Sequence, residues 1–144
     1  MIRHVASVAA SLAPGLWAGL ILGAGFIAVP AVFQAGPDVA KPFAYAATAN
    51  VFARLSAAEW IFALILALSL AGIGFPRRRT IAVVMLVALM AAQEIWLRPE
   101  LMARAEVLAA GGTVEPSAAH AIYAALELCK LAWLAGLAYA GRNG

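Results

Sequence analysis

Four residues near the end of the chain stand at a spacing that could do chemistry. His120, Tyr123, Glu127 and Lys130 follow i, i+3, i+7, i+10, and a helix gathers those positions into one stripe. The stripe lies in an apolar run, where each ionisable group at membrane depth costs roughly 2.5–3.5 kcal/mol on insertion scales. So many polar groups would not face lipid, and the stripe is predicted to face the bundle or a partner. Glu127 and Lys130 are three apart and can pair, which removes much of the desolvation cost for both. Two further carboxylates, Glu59 and Glu94, fall at membrane depth on other runs. Glu94, beside Gln93, and Glu59 are both expected to approach His120.

Two chemistries fit this set. One is a polar latch, an ion pair with a few hydrogen bonds that fixes how the helices register. The other is a proton or cation site of carboxylates and one imidazole. For Glu59 and Glu94, near span ends, snorkelling to the interface is the simpler alternative. Catalytic patterns are missing. The chain has no Glu-x-x-His pair of the di-iron type, no His-Glu-x-x-His, no phosphate-cradling glycine loop followed by lysine and no Gly-x-Ser-x-Gly. No residue is assigned as catalytic, and no metal or cofactor is named.

The elements that must position these residues follow from composition. The 144 residues are 65% hydrophobic and 12% charged, where a soluble domain averages about 45–50% and about 25%. So small a fold could not hide that much apolar surface from water, whereas lipid removes the problem. The net charge of +3 does not point to nucleic acid, because the basic residues sit at the ends of apolar runs. The single cysteine, Cys129, excludes an internal disulfide.

Four spans are predicted, at about 8–33, 51–74, 80–97 and 117–140, with Pro and Gly at every junction. Helices are the expected form, since each satisfies its own backbone in lipid. The first run carries no Asp, Glu, Lys or Arg from Val5 to Pro37 and is about twice the length of a signal-peptide core. Arg77, Arg78 and Arg79 occupy the short turn after the second span, with Arg3 and Arg142 on the same side. The positive-inside rule then makes both termini cytoplasmic, in a bacterial-type inner membrane. On the opposite side, Pro42 can open the second helix early. Pro99 is expected to open a separate short helix on the membrane surface, ending at Gly111-Gly112, with Glu100 and Arg104 paired at i, i+4. Pro30 is expected to help end the first helix. Trp17, Trp60, Trp96 and Trp133 read as interfacial anchors.

Small residues give the packing. Gly15, Gly19 and Gly23 recur every four residues on the first span, as do Ala63, Ala67 and Ala71 on the second. The glycines predict a tight helix–helix seam, within one chain or between copies.

The order of short motifs adds a resemblance. They are Gly15-Leu16-Trp17-Ala18-Gly19, Val29-Pro30-Ala31-Val32-Phe33, Pro37-Asp38, Phe52, Leu97-Arg98-Pro99-Glu100-Leu101 and His120-Ala121-Ile122-Tyr123. In this the chain resembles the transmembrane-protein-205-like family of small four-span membrane proteins, a domain-of-unknown-function family. The resemblance implies the fold and the membrane location and supplies no reaction. Glu127-Leu128-Cys129-Lys130 is more polar than that family's pattern.

The expectation is an all-α, antiparallel four-helix transmembrane bundle in one domain, with short outer-loop helices. Its expected role is structural or accessory, associating with copies of itself or other membrane subunits. The alternative is proton- or cation-coupled handling of a small solute through Glu94, His120 and Glu127, with Glu59 and Lys130.

Overall fold

With no water in the hydrocarbon layer, each backbone amide must find its partner within its own segment, and the described residues form four helices long and apolar enough to cross a membrane. A computed structural model describes residues 1–35 and 41–142, apart from the side chains of 141 and 142. The helices are α1 (Ile2–Gln34), α2 (Lys41–Ile73), α3 (Arg77–Ala109) and α4 (Ala119–Arg142), and they pack antiparallel. The Gly36-Pro37 junction, the Pro37-Asp38 motif and the side chain of Arg142 lie outside the described residues.

Three of the helices have 33 residues each, about 50 Å of rise against a hydrocarbon core of ~30 Å. The two ends of the bundle therefore differ. At the arginine end the α2–α3 turn is tight: Gly74 and Phe75 take φ of 87° and 52°, and the Phe75 amide donates to the Leu70 carbonyl at 2.9 Å. The left-handed conformation suits Gly74, which has no Cβ to clash. Arg77, Arg78 and Arg79 form the first turn of α3 rather than the connection itself, and Arg79 donates to the Ala140 carbonyl of α4 at 3.1 Å. At the extended end, α1, α2 and α3 run on together and enclose a cavity.

Pro30 and Pro99 do not stop their helices. α1 continues to Gln34 and α3 to Ala109, so the separate surface helix expected after Pro99 is instead the continuation of the third span. Each proline stands two residues past the end of a widened, π-helical turn, Leu22–Ala28 in α1 and Gln93–Leu97 in α3. There the amides of Val29 and Arg98 donate five residues back, to Ala24 and Gln93. The extra room absorbs the proline ring and its missing donor, a known solution in membrane helices. The expected Glu100–Arg104 pair does not form. Glu100 accepts from the Ser117 hydroxyl at 2.6 Å, and Arg104 donates to the Glu115 carbonyl. Both residues hold the α3–α4 connection, which offers more donors and acceptors than the exposed helix face.

The apolar core fills the arginine-side half, with Leu66, Leu70, Leu86 and Leu134 among its buried residues. A smaller cluster of Leu97, Ala119 and Tyr123 closes the other side. The glycines divide by role. A β-carbon built on Gly72 would stand 2.6 Å from the Ala6 β-carbon, whereas at Gly15, Gly19 and Gly23 it would meet nothing within 4 Å. The close crossing inside the chain is thus α1 on α2 at Gly72, and the glycine stripe faces outward. Of the alanine series only Ala63 is buried.

Gly72→Leu is expected to destabilise the bundle by about 1–3 kcal/mol through overpacking, and Gly15→Ala to leave it unchanged or slightly more stable. Thermal unfolding in micelles, followed by circular dichroism, distinguishes the two.

Candidate functional site

The centre of the bundle holds an ion cluster to which every helix contributes. Lys130 of α4 is fully buried. Its Nζ stands 2.6 Å from Glu59 Oε1 of α2 and 2.9 Å from Glu127 Oε1 of α4. Trp17 of α1 donates from Nε1 to Glu59 Oε1 at 3.0 Å. Gln93 of α3 donates from Nε2 to Glu127 Oε1 at 3.1 Å and more weakly to the Tyr123 carbonyl at 3.4 Å.

Local structure explains the placement. Glu127 and Lys130 are neighbours on one face of α4 because they are three apart. Gln93 opens the π-helical turn of α3, which aims it at α4. Trp17 lies on the buried face of α1 with Ala13 and Ile21. Glu59 and Glu127 are only 3% and 5% exposed, so Glu59 does not snorkel.

The remaining predicted residues are divided among other places. Tyr123 is buried, with its ring edge-on to Phe52 at 5.6 Å. Glu94 belongs to a second, half-buried group, where it pairs with Arg98 one turn along. Ser56 donates to Glu94 Oε2 at 2.8 Å and accepts from Arg98 Nη1 at 3.4 Å. Such a partly exposed pair contributes little to stability. His120 is exposed; it joins neither group and lines a cavity at the extended end. The expected approach of Glu59 and Glu94 to His120 therefore does not occur, because each carboxylate has a nearer cation. At Gly15, Gly19 and Gly23 no atom of another part of the chain stands within 4 Å of where a β-carbon would be.

Four participants were not predicted: Trp17, Ser56, Gln93 and Arg98. The first-span tryptophan does carry a signal in its position. It stands well inside an apolar run with a polar N–H that must find an acceptor once buried.

Two spaces connect with these groups. A cleft of about 10 Å³, lined by Ser56, Glu59, Gln93, Glu94, Arg98 and Tyr123, is close to the size of one water and lies between the buried cluster and the Glu94–Arg98 group. A larger cavity of about 230 Å³ occupies the extended end, and Arg98 and Tyr123 line it too. Polar groups thus run from the extended end inward to Lys130. Beyond Lys130 the arginine-side half is packed with Leu66, Leu70, Leu86 and Leu134.

Chemically, the cluster is a charge balance. Two carboxylates face one ammonium, so full ionisation leaves one negative charge over. Glu127 Oε2 is buried and, among the described residues, has no hydrogen-bond partner. The arrangement can hold the helices together, with one excess carboxylate that a proton would neutralise. Among the described residues, no group of three or more His, Cys, Asp or Glu side chains is gathered as metal ligands.

No family model, curated protein or solved structure matches this chain.

Removing the ammonium leaves two buried carboxyls unpaired, so Lys130→Met is expected to cost about 3–5 kcal/mol of stability. Adding Glu59→Gln to Lys130→Met should cost less than the two single effects summed, a coupling of about 0.5–3 kcal/mol in a double-mutant cycle. Strict additivity in denaturant titrations would mean that the pair does not act as a unit.

Proposed function

We propose that this polytopic membrane protein is an accessory component that assembles with a second copy of itself through the outward face of α1. The observation that carries the reading is the stripe of Gly15, Gly19 and Gly23, which has open space where each β-carbon would stand. Lipid gives helices no hydrophobic reason to associate, so small residues that let backbones approach supply van der Waals contact instead. On α1 the stripe lies opposite Trp17 and Ile21, which face the core. Val8, Leu12, Gly15 and Gly19, at i, i+4, i+7, i+11, are all exposed on that outward side. The ion cluster is then the latch that keeps α1 rigid through Trp17 while its other face docks.

The proposed setting is a bacterial-type inner membrane with both termini and the arginine turn in the cytoplasm, after the concentration of Arg77, Arg78 and Arg79 at one end. Membership of the transmembrane-protein-205-like family is proposed on the sequence motifs alone.

A second reading is favoured by the unpartnered Glu127 Oε2. In it the cluster takes up a proton or monovalent cation from the extended end and couples it to handling of a small solute. Glu127→Gln would then abolish a pH-dependent flux in proteoliposomes without altering assembly; a flux that persists in the variant removes this reading.

For the accessory reading, Gly19→Leu is expected to reduce self-association at least tenfold, while melting of the monomer is unchanged. In a Cys129→Ser background, Gly19→Cys should form a disulfide-linked dimer under mild oxidation in native membranes. Monomers throughout, in both experiments, would dismiss it.

A further inference from the structure

We propose that the cavity at the extended end binds a small amphipathic carboxylate, a single apolar ring bearing one acid group. The site is independent of how the chain associates, since its walls come from the interior faces of all four helices.

Size is the first argument. The cavity measures about 230 Å³, and an apolar cavity of roughly 150 Å³ already accepts a benzene ring. A ring with a carboxylate fits within that space, whereas a whole two-chain lipid does not. Lining chemistry is the second argument. Phe33 of α1, Tyr45 and Phe52 of α2, and Tyr123 of α4 supply aromatic surface, and Phe33 and Tyr45 already meet edge to face at 5.2 Å. Aromatic rings favour such edge and offset contacts with another ring.

Charge complementarity decides the head group. Arg98, Arg104 and His120 line the cavity, and no acidic side chain does among the described residues. Arg98 is shared with Glu94. Arg104 differs, because its partner is the backbone carbonyl of Glu115. A neutral acceptor of this kind fixes the guanidinium without cancelling its charge. The planar fork of arginine suits a carboxylate, which it can bind with two parallel hydrogen bonds.

Depth agrees with an amphiphile. From Thr80 to Arg98 the helix rises about 27 Å, close to one hydrocarbon thickness. The cavity therefore opens near the membrane–water boundary, where a molecule with an apolar ring and a charged head accumulates.

The test is calorimetric titration of the full chain, in nanodiscs of zwitterionic lipid, with benzoate as the probe. Saturable binding is expected. Benzyl alcohol, which keeps the ring and loses the charge, should bind at least tenfold more weakly, and inorganic phosphate should not displace benzoate. Arg104→Gln should weaken benzoate about tenfold, as loss of one charge-assisted hydrogen bond implies, and leave benzyl alcohol unchanged. Ala105→Trp, which fills the cavity, should abolish binding of both. The proposal is overturned by non-saturable benzoate uptake, which marks partition into the lipid alone. It is equally overturned if benzyl alcohol matches benzoate, if phosphate displaces it, or if Arg104→Gln binds benzoate as the native chain does. Because Arg104 lies on the rim rather than in the core, that last comparison stands even if the tryptophan variant misfolds.

Discussion

A lysine ammonium held between two carboxylates is the constraint on which the bundle depends. A charge in hydrocarbon is tolerated only with partners at hydrogen-bonding distance, and Lys130 has two. Those partners fix α2 against α4, and Trp17 and Gln93 bring in α1 and α3 through the same carboxylate oxygens. Apolar packing between lipid-bathed helices has little power to choose one rotation over another, because a leucine is as content against lipid as against protein. Directional groups supply that choice. A rotation of any helix by a fraction of a turn would leave a charge or an N–H unmatched.

The same cluster divides the molecule into unlike halves. On the arginine side the interior is packed with branched and aliphatic side chains. On the extended side the interior is aromatic, basic and hollow. Arg98 and Tyr123 stand at the partition, since each lines both the small cleft and the large cavity. On the other side of Lys130 the core is formed by apolar side chains.

Much of this architecture is legible in the amino-acid sequence because lipid imposes few options. Long uncharged runs must be helices, and the early start of α2 follows from Pro42 and the lack of any breaker after it. The Glu127–Lys130 pair is likewise readable, since three-residue spacing on a helix has only one outcome. Legibility fails where a side chain has a choice of partner across helices. His120 shares a stripe with Glu127 yet sits at the water-facing end of α4, and Glu94 has Arg98 one turn away on its own helix. Helical periodicity cannot rank such partners, because it carries no information about the relative height of neighbouring helices. Proline also misled. Rules drawn from soluble helices place an end at Pro99, but a helix that can widen by one residue has no need to stop.

That widening has a consequence of its own. A π-helical turn is in effect one additional residue absorbed without breaking the rod, and one residue corresponds to about 100° of rotation. The stretch Gln93–Leu97 therefore acts as a phase joint between two lengths of α3. On one side of it Leu86 and Met90 are indexed to the apolar core; on the other, Leu101, Arg104 and Ala105 are indexed to the cavity wall. The angular setting of the cavity is thus offset from that of the core by a fixed amount. Each length of the helix thereby faces its own neighbours, much as two gears on one shaft can be keyed at different angles.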